Sequence, residues 1–153
     1  MRVALGADHA GFSLKGPVLA ALREDGHDVI DVGSYDGGEV DFPDIARAAC
    51  APVTAGETER AVLLCGTGIG ASMAANKIAG IRAALANDHY SAHQAVEHDD
   101  ANVLCLGAQI VGEWAALEII RSFLAARWDK REEFVRRVAK LADMERDAAR
   151  AAR

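Results

Sequence analysis

Five short apolar runs punctuate the chain, separated by longer stretches in which apolar residues recur at helical spacing. Residues 2–7 (RVALGA) form the first run, broken by Gly6. A helix through Leu14, Val18, Leu19 and Leu22 follows, with Ser13 as its expected cap and Gly26 as its stop. Pro17 is compatible with that helix only near the first turn. Residues 28–32 predict a second strand, and a loop rich in Gly and Asp runs from Gly33 to Asp41. A helix is predicted from Pro43 to about Ala55. The third strand, AVLLC at 61–65, is the clearest buried run, and the glycine-rich segment after it opens a helix through Ser72, Met73 and Ala75. Residues 81–85 predict a fourth strand, 90–97 a helix, and 103–106 a fifth strand closed by Gly107. Helices over 111–126 and 131–150 complete the pattern.

Strands alternating with helices at this spacing predict an α/β fold, a five-stranded parallel sheet covered on both faces. Ligands in such folds bind beyond the carboxyl ends of the strands. That rule selects Asp8 and His9, the segment Cys65 to Gly70, and Asn87 to His89. His98 and Asp99, just before the fifth strand, must reach such a site by another route.

Length and composition narrow the function. The 153 residues fit a single domain, expected to span 1–153. A net charge of −6 with few aromatics disfavours nucleic-acid binding. The acidity lies upstream, because residues 129–153 hold eight Lys/Arg against six Asp/Glu. Cys50, Cys65 and Cys105 match neither a zinc pattern nor a disulfide framework. No signal peptide opens the chain and no apolar run approaches a membrane span, so a reducing cytoplasm is the expected setting. His89 and His93 are one helical turn apart but have no third ligand in sequence, so no metal is expected.

Gly66, Gly68 and Gly70 alternate with Thr67 and Ile69 directly after Cys65. Such a run lets backbone N–H groups converge on one point, a nest suited to a phosphate or an enediolate. Together with a helix N-terminus it is expected to lower the pKa of the Cys65 thiol. The spacing fits neither a Walker A loop nor GxGxxG. Equally compatible is a small buried cysteine ending a core strand, followed by a tight turn. Asp8 and His9 suit a sugar hydroxyl or phosphate, or else a cap and an incidental histidine. His98 could exchange protons near neutral pH or lie in a solvated turn. Arg131, Arg136 and Arg137 could fork a phosphate, or form an exposed face with Phe134, Val138 and Leu141 packed underneath.

Together GADHAGFSLK, DFPD at 41–44, LCGTGIGASMAANKIAGIRAAL at 64–85 and HDDANVLCLGAQIVG at 98–112 resemble the ribose-5-phosphate isomerase B family. That family also includes galactose-6-phosphate isomerase subunits. The resemblance runs in order from residue 2 to about 142. It implies a Rossmann-like three-layer sandwich, no cofactor, and a homodimer or tetramer with sites at subunit contacts and the C-terminal helix, about 130–150, at the interface. It implies a phosphorylated sugar substrate, Cys65 as the proton-abstracting base, His98 as proton donor, and Thr67 as a helper at the ring oxygen. Asp8, His9 and Asp99 match sugar-binding positions, Gly66 to Gly70 an anion hole, and Arg137 a phosphate ligand.

Two positions depart from the family pattern. Gln109 stands where the family often has Arg, and Glu133 where a Gly-Gly-Arg-His segment carries Arg, leaving Arg131 as a possible substitute. Each charge-assisted bond lost costs about 1.5–3 kcal/mol. The implied activity is interconversion of ribose 5-phosphate and ribulose 5-phosphate. The alternatives are a tetrose 4-phosphate, an allose or galactose 6-phosphate, or a non-catalytic subunit of a two-subunit isomerase.

Overall fold

The computed structural model describes residues 1–151. Its elements are β1 (Arg2–Ala7), α1 (Phe12–Glu24), β2 (Asp28–Asp31), α2 (Phe42–Thr54), β3 (Arg60–Cys65) and α3 (Ile69–Ala75). These are followed by β4 (Ala83–Leu85), α4 (His89–Asp99), β5 (Val103–Gly107), α5 (Glu113–Ala125) and α6 (Glu132–Ala151). The sheet is parallel throughout, in the order β2-β1-β3-β5-β4. The predicted five-stranded α/β architecture is therefore present.

The uninterrupted apolar runs conceal a period of two. Val3, Leu5, Val62, Leu64, Leu104 and Leu106 face one way and pack against Val18, Leu22, Ile120 and Phe123 of α1 and α5. Ala4, Leu63, Val103 and Cys105 face the other way and pack against Ala46, Ala49 and Cys50 of α2 and Ala71 and Ala75 of α3. Burial on both faces removes the polar alternation that would have exposed the pleat in sequence. The second layer is built of small residues because α2 lies close to the sheet. A side chain at Gly6 would stand 3.0 Å from Ile45 Cγ2.

Local corrections have identifiable causes. Gly11, not Ser13, precedes α1, and no side chain caps that helix. The turn before it is instead closed by Asp8, whose Oδ1 accepts the Gly11 N–H at 2.8 Å. Pro17 lies beyond the first turn of α1. β4 begins only at Ala83, because the Arg82 N–H donates to Asn102 Oδ1 and Asn76 takes both backbone groups of Ala83. α4 continues through His98 and Asp99, beyond the predicted 90–97, and ends where Asp100 turns left-handed at φ 51°. In α6 only Phe134 is buried. Leu141, expected to pack beneath the arginines, is 46% exposed, and Met144 is 67% exposed. No described helix is long and apolar enough to cross a membrane.

Candidate active site

β1, β3 and β5 end at one edge of the sheet, and their ends carry the first group of polar residues. Asp8 is 4% exposed. Its N–H donates to the Leu64 carbonyl at 3.1 Å, which sets its carboxyl group beside the end of β3. Gly11 is required here because a Cβ would stand 2.1 Å from the Leu64 oxygen. His9 is exposed, and its Nδ1 accepts the Val40 N–H at 3.4 Å.

Cys65 ends β3 half-buried, unlike Cys50 and Cys105, which are fully enclosed. The following loop is pinned from β5: Ala108 N–H donates to the Cys65 carbonyl at 2.8 Å and Gln109 N–H to that of Gly66 at 2.9 Å. Gly68 adopts φ +79°, where a side chain would also meet Leu85 Cδ1 at 2.6 Å. Gly70 lies under the ring of Phe42, 3.1 Å from where its Cβ would be. Thr67 Oγ1 accepts the Ile69 N–H at 3.3 Å. The Gln109 amide oxygen lies 3.1 Å from the Cβ position of Gly66, so a neutral group borders the loop.

The expected depression of the Cys65 pKa is not what this environment produces. Burial pushes the thiol up, and the Asp8 carboxylate pushes it further by accepting the S–H hydrogen bond and by its charge. The backbone groups of Gly68 and Thr67 pull in the opposite direction and are outweighed. α3 contributes little field because it is only seven residues long. Cys65 is therefore a thiol near neutral pH while the site is empty.

This arrangement gives an expected labelling pattern. Iodoacetamide should modify Cys65 well before Cys50, whose thiol burial pushes up to about 11, and before Cys105, which burial pushes higher still. The Cys65 rate should climb with pH through a value above the ordinary thiol range. Asp8→Asn keeps an amide oxygen as acceptor but removes the charge that favours S–H, so it should lower that pKa and accelerate labelling near pH 7.5. Slower labelling in Asp8→Asn, measured by intact-protein mass spectrometry, would refute the coupling.

The second group lies at the opposite edge. α4 runs back across the sheet, so its last turn, with His98 and Asp99, lies beside the start of β5. Asn102 accepts the Ala61 N–H there at 2.9 Å. Ala61 pairs with Val103 and Cys65 with Gly107, so the two levels are four residues apart along β3, about 13 Å at strand rise. His98 stacks on Phe134, ring centroids 4.2 Å apart. The same ring carries Arg131, its Cζ at 4.7 Å, and Arg137, its Cζ at 5.7 Å. Asp99 is exposed at the end of α4.

One chain thus assembles Asp8, His9, Cys65, the Gly66–Gly70 loop and Gln109 at one edge, and His98, Asp99, Arg131 and Arg137 at the other. Asp129 engages Arg131 at Nε, 2.6 Å away, while the arginine side chain is otherwise exposed. Two contributors were missed in sequence. Phe42, in DFPD, covers Gly70. Phe134 organises the second group from what reads as a helix's core position. Among the described residues no three His, Cys, Asp or Glu side chains converge as a metal site would require.

Residues 3–141 match the family model described as Ribose/Galactose Isomerase. The chain belongs to the ribose/galactose isomerase family. Membership makes it an aldose–ketose isomerase. It is 41% identical over 128 residues to ribose-5-phosphate isomerase B of Escherichia coli, covering 84% of this chain and 86% of that one. It is 38% identical over 133 residues to D-erythrulose-4-phosphate isomerase 2 of Mycolicibacterium smegmatis, covering 84% and 87%. Among solved structures, ribose-5-phosphate isomerase B of Clostridium thermocellum superposes with a TM-score of 0.94 at 38% identity, covering 97% of this chain and 99% of that one. The relatives carry different substrate names at similar identity.

Proposed function

We propose that this chain interconverts ribose 5-phosphate and ribulose 5-phosphate through a cis-enediolate, with Cys65 as the base. The observation that carries this reading is the half-buried Cys65 thiol, placed beside buried Asp8 by the pairing of β1 with β3 and followed by the Gly66–Gly70 loop. The Cys65 thiol loses its proton to solvent as substrate enters. The thiolate then removes the proton from C2 of the open-chain aldose. Electrons shift into the C1 carbonyl, and the N–H groups of residues 66–70 hold the developing oxyanion. The sulfur returns the proton to C1, while the hydroxyl proton passes from O2 to O1. Thr67 and His98 assist ring opening, and Arg137 holds the phosphate.

The complete site needs His98, Asp99 and Arg137 of a second copy set against Cys65 of the first. Two features support this. Ile69 and Met73, bordering the loop, are 52% and 64% exposed. The apolar face of α6 is also uncovered at Leu141 and Met144. Patches of this kind mark interaction surfaces, and a two-fold contact would supply both halves twice. Residues 1–153 act as one domain in this assembly, with α6 at the interface. The setting is cytoplasmic, with no nucleic acid, membrane, metal or cofactor involved.

A second reading keeps the chemistry and changes the sugar. Neutral Gln109 beside Gly66 and the paired state of Arg131 leave fewer cations for a phosphate placed by a five-carbon chain. A tetrose 4-phosphate, or an allose or galactose 6-phosphate, then becomes the substrate. The test is ketose formation from each aldose phosphate by the purified chain. The leading reading expects ribose 5-phosphate to give the highest kcat/KM. A four- or six-carbon substrate turned over at least tenfold better would replace it. Inactivity on all of them would point to a silent subunit, against which the presence of Cys65, Thr67 and His98 argues.

A further inference from the structure

Arg131 lies at the entrance of α6, and every donor-bearing side of it that the structure pairs is taken by this chain. Asp129 Oδ2 accepts from Nε at 2.6 Å, and Asp129 Oδ1 accepts the Arg131 backbone N–H at 3.0 Å. Glu133 Oε1 stands 3.8 Å from Nη1. The flat face lies over Phe134. Arg137, on the same ring, forms no ion pair among the described residues. A phosphate is bound tightly by a guanidinium that offers it two parallel N–H groups. Asp129 holds the Nε of Arg131, and Glu133 adds a negative charge beside Nη1 where a dianion would approach.

We propose that Asp129 and Glu133 act as an internal competitor for phosphate, latching Arg131 so that Arg137 alone grips the phosphate end. Glu133 is then a specificity-determining residue, because it caps the affinity drawn from the phosphate and shifts discrimination onto the sugar hydroxyls. The proposal rests on the assignment of Arg137 as the phosphate ligand. Both carboxylates are partly exposed, so the latch is a modest bias that substrate analogues of higher charge feel most.

Inorganic phosphate titrated into the full chain by calorimetry, at low ionic strength to limit screening, reads the latch directly. Glu133→Gln should bind phosphate about two- to fivefold more tightly than wild type, a size suited to one partly exposed charge. Asp129→Asn, which keeps an acceptor for the Arg131 backbone N–H, should move the same way. Arg131→Gln alone should change affinity by less than about twofold, and added to Glu133→Gln it should remove the gain. A change under about twofold in Glu133→Gln, or a loss in Arg131→Gln as large as that in Arg137→Gln, overturns the latch. Turnover is scored separately. An inactive chain that still shows the gain rejects the isomerase substrate reading and keeps the latch. An active chain without it does the reverse.

Discussion

Cys65→Ala should lower kcat for ketose formation by roughly 10²–10⁴-fold, the usual contribution of a positioned proton acceptor. Each tenfold step corresponds to about 1.4 kcal/mol of barrier, so the sulfur is assigned about 3–5 kcal/mol. The nearest polar side chains are partly engaged elsewhere: one Asp8 oxygen accepts the Gly11 N–H, and Thr67 Oγ1 accepts the Ile69 N–H. Substrate affinity should fall little, because the phosphate and hydroxyl contacts lie on other residues. Steady-state kinetics combined with direct binding of ribose 5-phosphate separates the two effects, and a thermal melt confirms that the variant folds. A Cys65→Ala enzyme retaining more than a tenth of wild-type kcat would remove sulfur from the mechanism, whatever the family.

The sulfur's surroundings also show what sequence could and could not reveal. The strands were legible because runs such as AVLLC at 61–65 are short, apolar and closed by glycine. Their parallel direction followed from alternation with helices, whereas the order β2-β1-β3-β5-β4 was not legible in the sequence. The need for a glycine at 68 was legible too, since Gly68 adopts φ +79° and a Cβ there would strike Leu85. The protonation state of Cys65 was not. Glycines and a helix start suggest a lowered thiol pKa, but the outcome is a balance among burial, a carboxylate 57 positions away in sequence and two backbone groups. A linear string does not show that Asp8 and Cys65 are neighbours, because their proximity comes from the pairing of Ala7 with Leu64 across β1 and β3. Phe134 was hidden for a related reason. An aromatic residue at helical spacing reads as core, and it is buried, yet its faces serve His98 and Arg131.

Parallel strand topology explains why the candidate residues separate into two groups. Every helix in a βαβ path begins near the carboxyl ends of the strands and returns to their amino ends. Residues just after a strand, such as Cys65, and residues just before one, such as His98, therefore lie at opposite edges. A chemistry that needs both must either bend the chain or borrow from a neighbour. α4 is a regular helix ended by a left-handed Asp100, with no insertion that could carry His98 across the sheet.

Mixing two inactive variants distinguishes those options. Cys65→Ala and His98→Gln should each be inactive as pure proteins. If each site takes Cys65 from one copy and His98 from the other, a mixed dimer holds one doubly damaged site and one intact site. Random reassortment of an equal mixture makes half the dimers mixed, each with one of its two sites working. Activity should then recover to about a quarter of wild type after dissociation and reassociation, and not before. A double variant carrying both changes on one chain, mixed with wild type, should follow the complementary arithmetic, because its mixed dimers contain two singly damaged sites and contribute nothing. Recovery absent from the first mixture, with subunit exchange verified by native mass spectrometry, would place His98 outside the reaction or require Cys65 and His98 to meet within one chain. The about 13 Å of β3 between their levels stands against the latter.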